Sequence, residues 1–245
     1  MAYKSLTQFC FEELSKHIKL ERVSGLEEIE KVKLLSGEDG GGIKLYKADK
    51  IDKVSLVDFR FESGVHIPHH NNEISVGAEI FQILPDFSYK LPIWGINSII
   101  FKDGRYNFDT DLSFGFDLVM DYAFTMKYLE PFDALHKKFL THKDFRAVPM
   151  SETTTWVRTY ISPVFIIAET TTEKIDTVFE LCSEFIKLWV RMYQEAEKVD
   201  DTFKERQKQR IKAQYDGMRQ TDRMGKILLG VYGKETFAKF FKAMA

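Results

Sequence analysis

The chain has 245 residues, 44% of them hydrophobic, 14% aromatic and 29% charged. Its 21 Phe and 10 Tyr exclude a disordered polypeptide, and a net charge of −2 with a pI near 6.3 excludes a generally basic nucleic-acid binder. Two cysteines, Cys10 and Cys182, are too few for a disulfide framework or a four-thiolate metal site, and they read as buried free thiols in apolar, helical runs. The N-terminus carries acids early and has no apolar signal core, and no run approaches the ~18 apolar residues of a membrane span. The expectation is one domain over 1–245, monomeric and cytoplasmic, with no nucleic-acid or membrane partner and a plastid location open if a transit peptide was removed.

Ser5 to Leu20 reads as a helix, with Leu6, Phe9, Cys10, Leu14 and Ile18 near helical spacing. Strands follow: Ile43 to Tyr46 beside a turn at Gly40–Gly42, Val54 to Phe61, and Ile74 to Leu84 closed by Pro85. Trp94 to Lys102 and Arg105 to Leu112 flank Asp103 and Gly104, a hairpin signal. Val157 to Ile167 is β-branched and aromatic. These six hairpin-linked strands predict an antiparallel sheet. Leu118 to Phe139 is mixed helical, and Glu173 to Lys198 is a long amphipathic helix capped by Thr170 to Thr172. A further helix runs from Asp222 to about Leu229, Gly233 ends it, and Lys234 to Met244 is a short last helix. The pattern predicts an α+β fold, an antiparallel sheet with helices on both faces.

Several chemistries leave no trace. Gly40 to Gly42 lack the spacing and crossover of a dinucleotide fold, and there is no phosphate-binding loop, nucleophile elbow or H-E-x-x-H. His66, His69, His70 and Glu73 crowd one polar loop, Gly64 to Glu73. Imidazoles bind zinc, copper and iron, yet no second element with carboxylates is evident, and solvated loop histidines are the commoner case.

Two segments carry a resemblance. Leu84 to Asn97 reads LPDFSYKLPIWGIN, and Gln220 to Gly233 reads QTDRMGKILLGVYG. In order and spacing they resemble the ferredoxin-dependent bilin reductases, which carry "LP-aromatic-G-x-D" entering a strand and a C-terminal "N/L-D-x-x-R" helix start before an "FG" turn. Trp156, Val157 and Arg158 resemble the family's "F-[IV]-R" strand. The match spans most of 54–245 in short blocks.

The resemblance implies a three-layer α/β/α sandwich with a central, mainly antiparallel sheet. It implies reduction of biliverdin IXα or a dihydrobiliverdin to a phytobilin by single electrons from ferredoxin. No cofactor or metal is bound, because the tetrapyrrole itself accepts the electrons. It places Asp222 at the acid several members use as proton donor; read by itself, Asp222 is a helix N-cap. Asn97 stands where many members have Asp at the central pyrrole nitrogens. An amide hydrogen-bonds but is no acid, which moves weight to Asp222 and leans toward A-ring reduction. Ile80 departs from a His or Asn position, and its neighbour Glu79 points to the opposite sheet face unless a bulge intervenes. Arg146 and Arg223, with Arg158 as a third, are the cations for the propionates; each alone also reads as a solvated ion pair. Asp58 and Arg60 fall in a strand where the family has polar pocket residues. Eight Lys or Arg against three acids between Lys204 and Lys226 form either a rim that steers an acidic ferredoxin or an ordinary charged helix face. A tetrapyrrole-binding protein of the same fold that does not reduce its ligand is the alternative reading.

Overall fold

Apolar and polar residues alternate from Gly41 to Ser113, and in the computed structural model this stretch is an antiparallel meander; residues 5–67, 73–148, 159–221 and 223–244 are described. After helix α1 (Leu6–Ser15) come β1 (Glu21–Arg22), α2 (Glu27–Glu30), β2 (Gly41–Ala48), β3 (Ile51–Ile67), β4 (Glu73–Pro85), β5 (Ile93–Phe101) and β6 (Arg105–Ser113). Helices α3 (Tyr122–Phe124) and α4 (Glu130–Leu140) are joined by a wider π turn at Thr125–Leu129. Pro131, in the first turn of α4, has no N–H to continue the regular ladder. Strands β7 (Arg146–Ala147) and β8 (Ile166–Thr171) precede α5 (Ile175–Glu195), α6 (Asp201–Thr221) and α7 (Arg223–Met244). The sheet order is β1-β2-β3-β4-β5-β6-β8-β7, and every neighbouring pair is antiparallel.

Period-two alternation sends Phe81, Ile83, Trp94, Ile96, Tyr106, Phe108 and Leu112 to one face, where they meet α1, α4 and α5 in a continuous core. Phe185 of α5 is fully buried there between the rings of Trp94 and Phe132, a burial that contributes about 1.5–3 kcal/mol. The other face carries Ile43, Leu45, Val57, Phe59, Phe61 and Ala78, covered by Ile29 of α2 and by Leu228, Tyr232 and Phe240 of α7. The architecture is an α+β, three-layer α/β/α sandwich. This second apolar cluster stops at β4, and beyond it the same face of β5, β6 and β8 carries Asn97, Asn107, Asp109, Asp111 and Glu169 among Ile93, Ile99 and Ile167.

Several boundaries differ from the sequence reading. The last long strand runs from Ile166 to Thr171; of the expected span, residues 157–158 lie outside the described set, as do 149–156, and 159–165 is turn rather than strand. Ser162 and Pro163 sit in a turn that ends on Phe165. Thr170 is therefore a strand residue, and α5 starts at Ile175 after one 3-10 turn with no side-chain cap. The expected histidine loop is partly strand, because Val65, His66 and Ile67 pair with Ser75, Ile74 and Glu73. Helix α6 replaces what composition showed only as a charged stretch. Gly233, at φ 77°, breaks α7 where the sequence placed a helix end.

Candidate functional site

The polar half-face has a regular floor. Ile80 lies opposite Asn97, Asn97 opposite Asp109, and Asp109 opposite Ile167, so β4, β5, β6 and β8 each place one side chain in a row. The next row holds Gln82, Gly95 and Asp111. Gly95 leaves bare backbone there, and an added Cβ would meet only ordinary contacts at 3.6 Å or more, so a flat ligand can approach the strand closely. From beneath, buried Thr110 holds the two strands together. It accepts from Trp94 Nε1 at 3.0 Å and donates to the Gly95 carbonyl at 2.8 Å.

Helix α6 forms one wall. Gln207 is buried and donates to the carbonyls of Phe87 and Tyr89, tying the helix to the β4–β5 loop. Gln82 Nε2 donates to Tyr215 Oη at 3.1 Å, and burial raises the Tyr215 hydroxyl above its ordinary value. Gln214 donates to the Tyr160 carbonyl, and Tyr160 packs against Gly217, where a Cβ would stand 2.6 Å from the phenol oxygen. A cavity of about 400 Å³ opens between α6 and this segment, lined by Phe114, Leu118, Tyr160, Ser162, Arg210 and Gln214 among others.

Two carboxylic acids dominate the chemistry of the floor. Asp109 accepts from Asn97 Nδ2 at 2.8 Å; burial pushes its carboxyl up to about 6, against the lowering effect of that amide. Asp111 accepts from Ser162 Oγ at 2.5 Å, from the Ser162 N–H at 3.1 Å and from its neighbour's N–H, Leu112, at 2.8 Å. Burial still outweighs those donors and lifts Asp111 to about 7, helped slightly by the charge of Asp109. Neither acid stood out in the sequence. A usable signal was there: Asp is depleted in strands, yet Asn107, Asp109 and Asp111 occupy one face of a strand bracketed by two others.

The sequence-predicted residues are only partly brought together. Asn97 is on the floor, exposed, beside Asp109. Glu79 is 2% exposed on the opposite face, where it accepts from Ser5 Oγ at 2.5 Å and from the Leu6 N–H at 3.2 Å, so it caps α1. Arg146 is on the sheet's edge strand with its side chain 70% exposed, and it donates to Glu169 at 2.6 Å. Glu169 also approaches Arg105, and with Thr170, Lys143 and Lys174 these residues line a shallow hollow of about 200 Å³. Arg223 opens α7. Asp222 and Arg158 lie outside the described residues, as do His69 and His70. His66 is exposed on β3, and among the described residues no three His, Cys, Asp or Glu side chains converge on a metal-sized gap. Arg60 pairs with Asp58 and Asp39 at the surface, away from the floor. On α6, Lys208, Lys212 and Arg219 pair with acids of their own helix. Arg206 and Arg210 are exposed with no ion pair among the described residues.

An antiparallel sheet with helices on both sides and one polar, acid-bearing half-face defines a protein that can hold a flat ligand between sheet and helix. The chain belongs to the family described as ferredoxin-dependent bilin reductase, whose model matches residues 72–244. It is therefore a ferredoxin-dependent bilin oxidoreductase, with electrons supplied by ferredoxin. The crystal structure of selenomethionine phytochromobilin synthase from tomato in complex with biliverdin has a similar fold. The TM-score is 0.74 at 15% identity, over 99% of this chain and 85% of that one. No curated protein matches the chain by sequence. Among the described residues, no helix is long and apolar enough to cross a membrane.

Proposed function

We propose that this protein, acting as a monomer of one domain, reduces biliverdin IXα or a dihydrobiliverdin to a phytobilin on the polar half-face of its sheet, with a preference for the A ring. The observation that carries the reading is the row of Asn97 and Asp109, with Asp111 beside it, on the part of the sheet that lies beyond the second apolar cluster among the described residues. Asn97 hydrogen-bonds the pyrrole nitrogens as an amide. Asp222, which precedes α7, delivers a proton to the reduced pigment. Arg146, Arg158 and Arg223 supply guanidinium forks for the propionates. The exposed Arg206 and Arg210 on α6 favour an acidic electron donor approaching that wall. Glu79 has no part in this scheme, because its carboxylate is spent on α1.

The test is an anaerobic assay with biliverdin, ferredoxin and a reducing system, followed by chromatography of the pigments. A reduced bilin is expected from the wild type, and Asp222→Asn is expected to bind the pigment but to lose turnover. A shifted biliverdin spectrum with no product would instead favour a protein that only holds the tetrapyrrole. Normal turnover of Asp222→Asn would remove that residue as donor.

A further inference from the structure

Resting on that reading of the site, we infer that Asp109 is a second proton donor to the bound tetrapyrrole, carried by the sheet and held in place by Asn97. The argument is one of position and of free valence. Reducing one C=C bond takes two electrons and two protons: the π bond breaks and two C–H bonds form. Two reduced ferredoxins supply the electrons, one each, and the protein must supply protons where the pigment lies. Along the floor, Ile80 has no proton to give, and Gln82 and Asn97 are amides. Asp109 and Asp111 are the acids on this face of β6.

Their surroundings separate their roles. Asp111 is held by three donors, the hydroxyl and N–H of Ser162 and the N–H of Leu112, and these bonds occupy both of its oxygens. Among the described residues, Asp109 accepts one hydrogen bond, from Asn97 Nδ2 to Oδ1. Its second oxygen is left to carry a proton and to face a ligand lying across the strands. Asn97 is thus a positioning residue: its amide fixes the carboxyl's orientation and, by donating to one oxygen, leaves the proton on the other. Burial pushes the carboxyl up to about 6, so it holds its proton to higher pH than a solvated Asp does. After transfer Asp109 is a carboxylate and is recharged from water. Of the groups around it, Glu169 on β8 pairs with Arg105 and Arg146, Tyr215 on α6 is a phenol engaged by Gln82, and the nearest acid, Asp111, is itself raised by the charge of Asp109.

The experiment compares wild type, Asp109→Asn and Asp109→Glu in biliverdin titrations followed by absorption and in anaerobic turnover with ferredoxin. Asp109→Asn keeps the acceptor for Asn97 but has no acidic proton. It is expected to bind biliverdin within about threefold of wild type while turnover falls about a hundredfold. Asp109→Glu, which keeps the acid on a longer arm, is expected to recover a substantial part of the loss. Turnover of Asp109→Asn within about twofold of wild type overturns the assignment while leaving the proposed function intact. Equal losses in the Asn and Glu variants also overturn it, because a merely structural role would not distinguish them. A wild type that binds but yields no reduced bilin fails at the proposed function and takes this inference with it.

Discussion

Replacing Asp109 by Asn should make the protein more stable, and only above mildly acid pH. In the fold this carboxyl titrates at about 6, against 3.8 in an unperturbed chain. Between those values the native state holds a proton that the unfolded chain has released, so native stability falls as pH rises through the window and levels off above it. The full difference corresponds to about 3 kcal/mol of cost for the ionised form; because the floor is open to water, screening trims this to about 1–2 kcal/mol. Asn is neutral at every pH, nearly isosteric, and still accepts from Asn97. The variant should therefore match wild type near pH 4 and exceed it by about 1–2 kcal/mol near pH 8. Urea unfolding across that range, with ΔG extrapolated for both proteins, measures the difference. A pH-independent offset between the two, or a variant less stable than wild type near pH 8, would refute the reasoning about burial at this position.

Thr110→Val removes the acceptor for the buried Trp94 N–H and should cost about 1–3 kcal/mol in chemical unfolding. In a Trp94→Phe background most of that cost should vanish, and additive losses would show that the pair is not coupled. Gly41→Ala should be severely destabilising, by about 3 kcal/mol or more, because φ is 76° and the new Cβ would stand 1.8 Å from the Asp58 carbonyl oxygen; a thermal midpoint close to wild type would contradict it. Glu79→Ala should lower stability by about 1–3 kcal/mol by freeing the Leu6 N–H, with biliverdin affinity unchanged. A weakened pigment titration would place Glu79 in the site after all.

The strands from β2 to β6 were legible because each buries one side and the alternation survives in sequence; the Asp103–Gly104 turn marked its hairpin, with Gly104 at φ 87°. Strand β8 was displaced because the β-branched run before it contains Ser162 and Pro163, which turn the chain, whereas IIAETT looks weak until Ile166, Ala168 and Thr170 are seen facing the core. Helix α6 has no apolar stripe to read. Its inward side includes Gln207, Ile211, Gln214 and Tyr215, and two of its anchors are amides bonded to loop carbonyls. Asn97 and Asp222 came from resemblance, a route that favours positions where the family's motifs are strong. Asp109 and Asp111 lie between those motifs and resemble the wet side of an amphipathic strand. Only the cross-strand register shows that they share a floor with Asn97.

A crystal structure of the protein with biliverdin tests the central claim most directly. The pigment should lie across β4, β5 and β6 beside α6, with pyrrole or lactam atoms within hydrogen-bond distance of Asn97 and Asp109 and its propionates at arginine side chains. Biliverdin seated elsewhere, such as in the hollow between Arg105 and Lys174 with Asn97 and Asp109 still bonded only to each other, would contradict it.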